Sequence, residues 1–322
     1  MTITTAALIF VQGAALLTAF MLNGEKQMQY RDLTQQEQNV ILHGGTESPY
    51  SGIYVDTFEG GIYTCRRCGS PLYTSDTKFE SHCGWPSFDR EIPGAVTRRA
   101  DADGIRTEIL CSSCGAHLGH VFTGEGYTDT DTRHCVNSIS MVFIPEERIQ
   151  RAYFAAGCFW GVEYSFDHTD GVLFARSGYM GGDITEPEYT DVCSGSTGHA
   201  ETVEVIFDSS TVSFRELAMM FFEIHDPEQV NRQGVDTGTQ YRSAVFYTSE
   251  QQLSVINELV SALENSGYRV ATEVSPAGSF WQAENYHQNY FDKNGVGSAC
   301  HVRVNRFTRE QEPPNPEEKT SK

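Results

Sequence analysis

Ile144-Pro-Glu-Glu-Arg-Ile149-Gln-Arg-Ala-Tyr-Phe-Ala-Ala-Gly-Cys158-Phe-Trp-Gly161 is the stretch on which the reading of the fold turns. Upstream of it, from about Gly52 to Ile144, the chain offers short β-rich runs such as Gly61 to Thr64, Ile105 to Leu110 and Ser138 to Phe143. Gly, Asp and Pro turns separate these runs, which predicts a mainly-β barrel or sandwich. Downstream of Tyr153, strand-like and helix-like stretches alternate at the lengths of an α/β or α+β domain. Two domains meeting near Ile149 are therefore expected. A length of 322 residues, beyond the size at which one core usually keeps growing, agrees.

Helix signals are sparse in the first half. Thr34 and Glu37 form a capping-box pattern ahead of Val40, Ile41 and Leu42, with Gly44-Gly45 to end the helix. In the second half Ser213/Glu216 and Ser249/Gln252 open amphipathic runs over Phe214 to His225 and Glu250 to Asn265. Strands are expected over Thr202 to Phe207, Ser243 to Tyr247 and Arg269 to Val274. Residues 1–27 hold an apolar run, Ala6 to Leu22, that reads as an export signal or anchor and would place the protein in the periplasm or on a membrane. No Lys or Arg precedes it, and a start at Met21 or Met28 would instead leave the protein cytoplasmic. The domains are read as 28–149 and 150–310, and 311–322, rich in Pro, Glu and Lys, as a solvated tail.

A net charge of -20 repels phosphate backbones and argues against nucleic acid as a partner. Nine cysteines are too few for a disulfide scaffold of this length and read as metal ligands and reactive thiols. Cys65-Arg-Arg-Cys68 and Cys111-Ser-Ser-Cys114 are two knuckles, each able to offer two thiolates to one tetrahedral Zn²⁺. Four sulfurs leave no open position, so the metal would be structural. Two separate redox motifs are the alternative, but they would want a βαβ setting that this half lacks.

Cys83 and Cys135 remain in this half, within Cys83-Gly-Trp-Pro-Ser-Phe88 and Arg133-His-Cys-Val-Asn137, with Gly115-Ala-His-Leu-Gly-His-Val-Phe122 between them. In this order the strings resemble methionine sulfoxide reductase B from about Tyr30 to Phe143. The resemblance implies that a Cys135 thiolate attacks the sulfoxide sulfur and becomes a sulfenic acid, which Cys83 converts to a disulfide. It makes His117 and His120 the polarising or proton-donating pair, Asn137 a substrate-orienting group and Trp85 an apolar wall for the methyl group. Arg133 and the histidines would favour a thiolate that is otherwise minor at a pKa of about 8.5. His82 and His134 depart from the family pattern.

In the second half Cys158 would open a helix, where the dipole and unpaired N–H groups favour a thiolate, with Gly157 permitting the turn. Tyr189-Thr-Asp-Val-Cys193, Gly198-His-Ala-Glu201, Asp236-Thr-Gly-Thr-Gln-Tyr241 and Glu284-Asn-Tyr-His287 follow. Together with Gly157-Cys-Phe-Trp160 they resemble methionine sulfoxide reductase A over about Arg151 to Arg306. The resemblance implies an α+β two-layer sandwich in which Cys158 is the nucleophile, Phe159 and Trp160 hold the methyl group and Glu201 is the acid. Tyr189, Asp236 and Tyr241 complete the hydrogen-bonding site, and Cys300 is the recycling thiol. Among aromatics Glu201 would be poorly solvated, and a raised pKa would keep its proton available. No cysteine follows Cys300 to relay a disulfide outward, and Cys193 is read as a small buried residue.

One pocket cannot hold both epimers of methionine sulfoxide correctly, so a fusion would cover the racemic lesion in free and protein-bound methionine. By resemblance the first domain would take the R-sulfoxide and the second the S-sulfoxide, with a thioredoxin-like reductant reopening the disulfides. A monomer is expected. The rival from another class is a zinc-stabilised redox sensor without turnover, which accounts for the thiols but not for Glu201, Trp160 or Trp85.

Overall fold

The computed structural model describes residues 30–295 and 301–307. The apolar leader, Cys300 and the tail over 311–322 lie outside the described residues. No helix among the described residues is long and apolar enough to cross a membrane.

The first half opens with α1 (Gln35–Ile41), whose Thr34/Glu37 capping box forms as the sequence predicts. Nine short strands follow: β1 (Gly61–Cys65), β2 (Pro71–Thr74), β3 (Lys78–Phe79), β4 (Ser87–Phe88), β5 (Val96–Ala100), β6 (Thr107–Cys111), β7 (His117–Thr123), β8 (Thr132–Val136) and β9 (Met141–Pro145). They form a three-stranded sheet, β2-β1-β9, and a six-stranded sheet, β3-β4-β8-β7-β6-β5. Neither sheet closes into a barrel. β3 and β4 are two residues long, too short to carry pairing around a ring. Instead the sheets share one core of Tyr63, Leu72, Tyr73, Phe88, Ile109, Leu118 and Val136, all fully buried. The strand expected from Ser138 begins only at Met141, because Ser138–Ser140 form a 3-10 turn whose first hydroxyl is already bonded to Tyr54 N–H.

The second half contains β10 (Ile149–Ala156), α2 (Phe159–Asp167), β11 (Val172–Met180), α3 (Tyr189–Cys193), β12 (Ala200–Asp208) and α4 (Phe214–Ile224). Next come β13 (Arg232–Gln233), β14 (Asp236–Thr237), β15 (Ser243–Tyr247), α5 (Glu250–Asn265), β16 (Glu273–Pro276), β17 (Trp281–Gln282) and α6 (Tyr290–Asn294). Six of its strands join in the order β16-β15-β10-β12-β11-β17, antiparallel except for β15 with β16. Period-two alternation divides β10. Ala152, Phe154 and Ala156 face the core shared with α2, α4 and α5, while Tyr153 and Ala155 join a second cluster with Phe246 and Phe280.

Two local expectations shift. Residues 269–272 remain irregular, and pairing with β15 starts only at Glu273. Ser249 caps α5, but Gln252 bonds to Thr248 N–H rather than to the cap residue, so the reciprocal half of that box is missing. Between the halves, Arg148 is held by both carboxylate oxygens of Asp208, at 3.1 and 2.5 Å. Beside it Ile62 and Ile144 pack against Leu173 and Ile206.

Phe221 is fully buried on α4 and stacks on Phe154 of β10 at 5.2 Å. Phe221→Ala leaves a void between helix and sheet, and a loss of about 3–5 kcal/mol is expected. Chemical denaturation followed by circular dichroism measures it.

Candidate active sites

The four knuckle cysteines converge. Cys65 and Cys114 sulfurs stand 3.6 Å apart, Cys68 and Cys111 3.7 Å apart, and all four lie within 4.8 Å of one another. Tetrahedral zinc with bonds of about 2.3 Å would hold its sulfurs about 3.8 Å apart, so the donor set and its spacing fit that ion.

On the same six-stranded sheet, Cys135 of β8 lies opposite Ser87 of β4 and His120 of β7. Gly119 is required beside it, since a Cβ there would come within 2.0 Å of the Cys135 carbonyl oxygen. Cys83 Sγ is 3.8 Å from Cys135 Sγ, and both residues are half-buried. The hydrogen bond from Cys135, aided by the Ser81 and Ser87 hydroxyls, pushes Cys83 down to about 4. The same bond and burial push Cys135 up, against the pull of Arg133. Arg133 is itself committed to Glu125 through two hydrogen bonds, at 2.7 and 2.9 Å.

Both histidines are fixed by carboxylates that sequence reasoning missed. His117 Nδ1 meets Glu108 Oε1 at 2.7 Å, and Arg99 holds the other Glu108 oxygen at 3.1 and 2.7 Å. His120 Nε2 meets Asp101 Oδ2 at 2.7 Å. Burial pushes the His117 pKa below its usual value, so near neutrality the proton rests on Nδ1, donated to Glu108. Nε2 is left bare, buried and without a partner.

Asn137 lies in the interior of the first half. It is 2% exposed, and its amide accepts from Glu47 N–H and donates to the Leu118 carbonyl, both at 3.1 Å. Glu47 in turn accepts the Trp85 indole N–H at 3.1 Å through its carbonyl, and its carboxylate takes Ser138 N–H and, at 3.2 Å, Ile139 N–H. Asn137 is thus linked to Trp85 through Glu47. Isolated acidic residues give no periodic signal, and only the three-dimensional pairing exposes Glu47, Glu108 and Asp101.

In the second half Cys158 is the N-cap of α2, at the end of β10, as the sequence predicts. Gly157 has φ +89°, and a Cβ there would meet the Gln233 side chain at 2.5 Å. Glu201 lies inside β12, paired with Tyr179 of β11, rather than ahead of the strand. Its carboxyl is 2% exposed and accepts from Phe159 N–H at 3.0 Å, one residue from Cys158. Burial pushes it up to about 8; the Phe159 bond opposes that shift and the nearby Asp236 charge adds to it. Tyr241 is pushed up to about 12, chiefly by burial, with the charges of Glu201, Asp236, Cys193 and Cys158 adding to it. Tyr189 is raised chiefly by burial and by a hydrogen bond with Cys193.

Trp160 is half-buried, donates its indole N–H to His287 Nδ1 at 2.9 Å and stacks on Tyr290 at 3.7 Å. Phe159, at 1% exposure, packs against His287 and Tyr179. Glu284 ties the region together, accepting from Tyr189 N–H at 2.9 Å and Tyr179 O–H at 3.0 Å. His287, Glu284 and Tyr290 are the additions to the sequence reading here. Cys193 is exposed, not buried, because the short α3 turns it outward while Val192 takes the core position.

Comparison with known proteins finds two family matches: peptide methionine sulfoxide reductase over residues 150–319, and the SelR domain over residues 33–145. A peptide methionine sulfoxide reductase MsrA of Methanothermobacter thermautotrophicus is 51% identical over 150 residues, 46% of this chain and 89% of the relative. The MsrA of Methanoculleus marisnigri is 47% identical over 48% of this chain and 95% of its own length. Among solved structures, reduced Mxr1 from Saccharomyces cerevisiae is 35% identical, covering 49% of this chain and 93% of its own, with a TM-score of 0.47.

A carboxyl raised to about 8 in the fold and about 4.3 when unfolded stabilises fully below pH 4.3, and that contribution is lost progressively up to pH 8. Glu201→Gln removes the dependence. Between pH 6 and pH 8 the variant should gain about 1–3 kcal/mol relative to the parent, read from parallel denaturation curves.

Proposed function

Because the chain belongs to the peptide methionine sulfoxide reductase family and carries a SelR domain ahead of that match, we propose that two separate thiol centres in one polypeptide divide the epimers of methionine sulfoxide between them. The chemistry is thiol-dependent reduction of methionine sulfoxide, and the enzyme acts on both epimers. The single observation that carries the reading of the second head is the Glu201 carboxyl. It is buried, protonated near neutrality and hydrogen-bonded to the residue that follows Cys158.

At the second head the Cys158 sulfur attacks the sulfoxide sulfur while Glu201 delivers its proton to the oxygen. The S–O bond breaks, the thioether departs, and the oxygen remains on Cys158 as a sulfenic acid. Cys158 at the start of α2 is favoured as thiolate by the helix N-terminus. Trp160, backed by Phe159, takes the methyl group, and Tyr189, Asp236 and Tyr241 orient the polar side. Cys300 attacks the sulfenic sulfur, forming a disulfide and releasing water.

At the first head Cys135 passes its thiol proton to the bare His117 Nε2 and so becomes the thiolate. Cys135 then attacks. His117, now protonated, gives its proton to the sulfoxide oxygen, with His120 beside it at 5.6 Å between ring centres. Arg133 supports the Cys135 thiolate, and Asn137 sets Trp85 through Glu47. Cys83 closes the disulfide over a gap of only 3.8 Å. Both disulfides are reopened by an external dithiol such as a thioredoxin, whose own pair is oxidised, so two electrons pass to each sulfoxide.

We further infer that Cys65, Cys68, Cys111 and Cys114 hold one structural Zn²⁺, which supplies rigidity and no chemistry. It would tie the β1–β2 turn to the β6–β7 turn in a domain with a single short helix. The second domain is read as an α+β two-layer sandwich and the molecule as a monomer.

With dithiothreitol as reductant, Cys135→Ser should abolish turnover of the R-epimer alone and Cys158→Ser that of the S-epimer alone. Equal loss of both activities in either variant would refute two independent heads. Metal chelation should release one zinc per chain and lower the melting temperature, with R-epimer activity falling before S-epimer activity; metal analysis and calorimetry read both.

A further inference from the structure

Glu163 has no part in the chemistry above, yet it is a carboxyl at 1% exposure on α2, three residues beyond Trp160 and therefore on the same side of that helix. Burying such a group is costly unless it is bonded. Its Oε2 accepts Asn289 N–H at 2.9 Å. Its Oε1 and the Ser177 hydroxyl of β11 are both buried without another partner and face one another. No basic side chain forms an ion pair with it among the described residues.

Asn289, the donor, stands at φ +51°, a left-handed conformation that asparagine adopts more readily than most residues and that turns the chain sharply into α6. The residues on either side of this turn carry the slot. His287 receives the Trp160 indole at 2.9 Å, and Tyr290 lies flat on Trp160 at 3.7 Å and 5°. Gln288 staples the same turn to the sheet, donating to the Ser177 and Ala283 carbonyls at 2.9 and 2.8 Å and accepting from Ser177 N–H at 3.1 Å. Glu163 and Ser177 thus form the floor onto which residues 287–290 are docked.

We infer that Glu163 is a positioning residue for the Cys158 site: its carboxyl fastens the turn at Asn289 and thereby holds His287 and Tyr290 against Trp160, shaping the slot for the sulfoxide methyl group. Burial, which pushes Glu163 up to about 8, keeps it neutral near pH 7. The carboxyl accepts from Asn289 and has the Ser177 hydroxyl beside its other oxygen. Glutamine keeps the acceptor for Asn289 and a polar group beside Ser177, and leucine keeps neither.

The inference rests on the reading of Cys158 as the S-sulfoxide head, and S-epimer turnover by the unmodified full chain tests that reading separately. With dithiothreitol as reductant, Glu163→Gln should keep the S-epimer KM within about twofold. Glu163→Leu should raise that KM about tenfold or more while kcat changes less than about threefold. R-epimer turnover at Cys135 is the internal control for an intact chain. In a Trp160→Ala background, Glu163→Leu should change KM by less than about twofold, since the slot it shapes is already gone. A Leu variant with unaltered KM overturns the inference. So does a Gln variant as impaired as the Leu variant, or a Leu effect that persists in full without Trp160. An unmodified chain that reduces only the R-epimer overturns the reading of the second head and the inference with it.

Discussion

The antiparallel pairing of β10 with β12 is the interaction on which the second head depends. Tyr153 lies opposite Glu204 and Phe154 opposite Val203, so the end of one strand runs beside the beginning of the other. Cys158 follows the end of β10, and Glu201 stands near the start of β12. One register thus brings Cys158 and a buried carboxyl together across more than forty residues of chain. A slip of one position would turn Glu201 to the opposite face of the sheet and carry Val203 and Val205 out of the core with it.

The first head solves the same problem with less secondary structure. Its strands are short, and its reactive groups are secured by pairs: Cys135 by Cys83, His117 by Glu108, His120 by Asp101, Trp85 by the Glu47 carbonyl. In each case a residue on a strand or its flanking turn is oriented by a partner far along the chain. The knuckle cysteines would add, through the proposed zinc, a cross-link between two hairpins. Where helices are scarce, precision comes from paired side chains rather than from packing of regular elements.

Much of this was legible in the sequence because it is local. The Thr34 and Ser213 caps, the strand into the Gly157 turn and the helix after Cys158 are all written in adjacent residues. The Cys-x-x-Cys knuckles were legible for the same reason, since ligand pairs must sit on one tight turn. Cys193 was misjudged because a five-residue helix has too few turns to reveal which side faces in. The supporting carboxylates were silent for a different reason. Glu108, Glu47 and Glu163 meet their partners only after the sheets form, and Glu163 and Asn289 are separated by 126 positions. Charged residues in sequence look solvated until a fold closes over them.

The passage between the halves bears on how the molecule works as a whole. Only the turn Glu146–Arg148 separates β9 from β10, and Arg148 is locked onto Asp208 while Ile62 and Ile144 press on Leu173 and Ile206. Three residues of turn, flanked by an ion pair and an apolar cluster, leave no free linker between one half and the other.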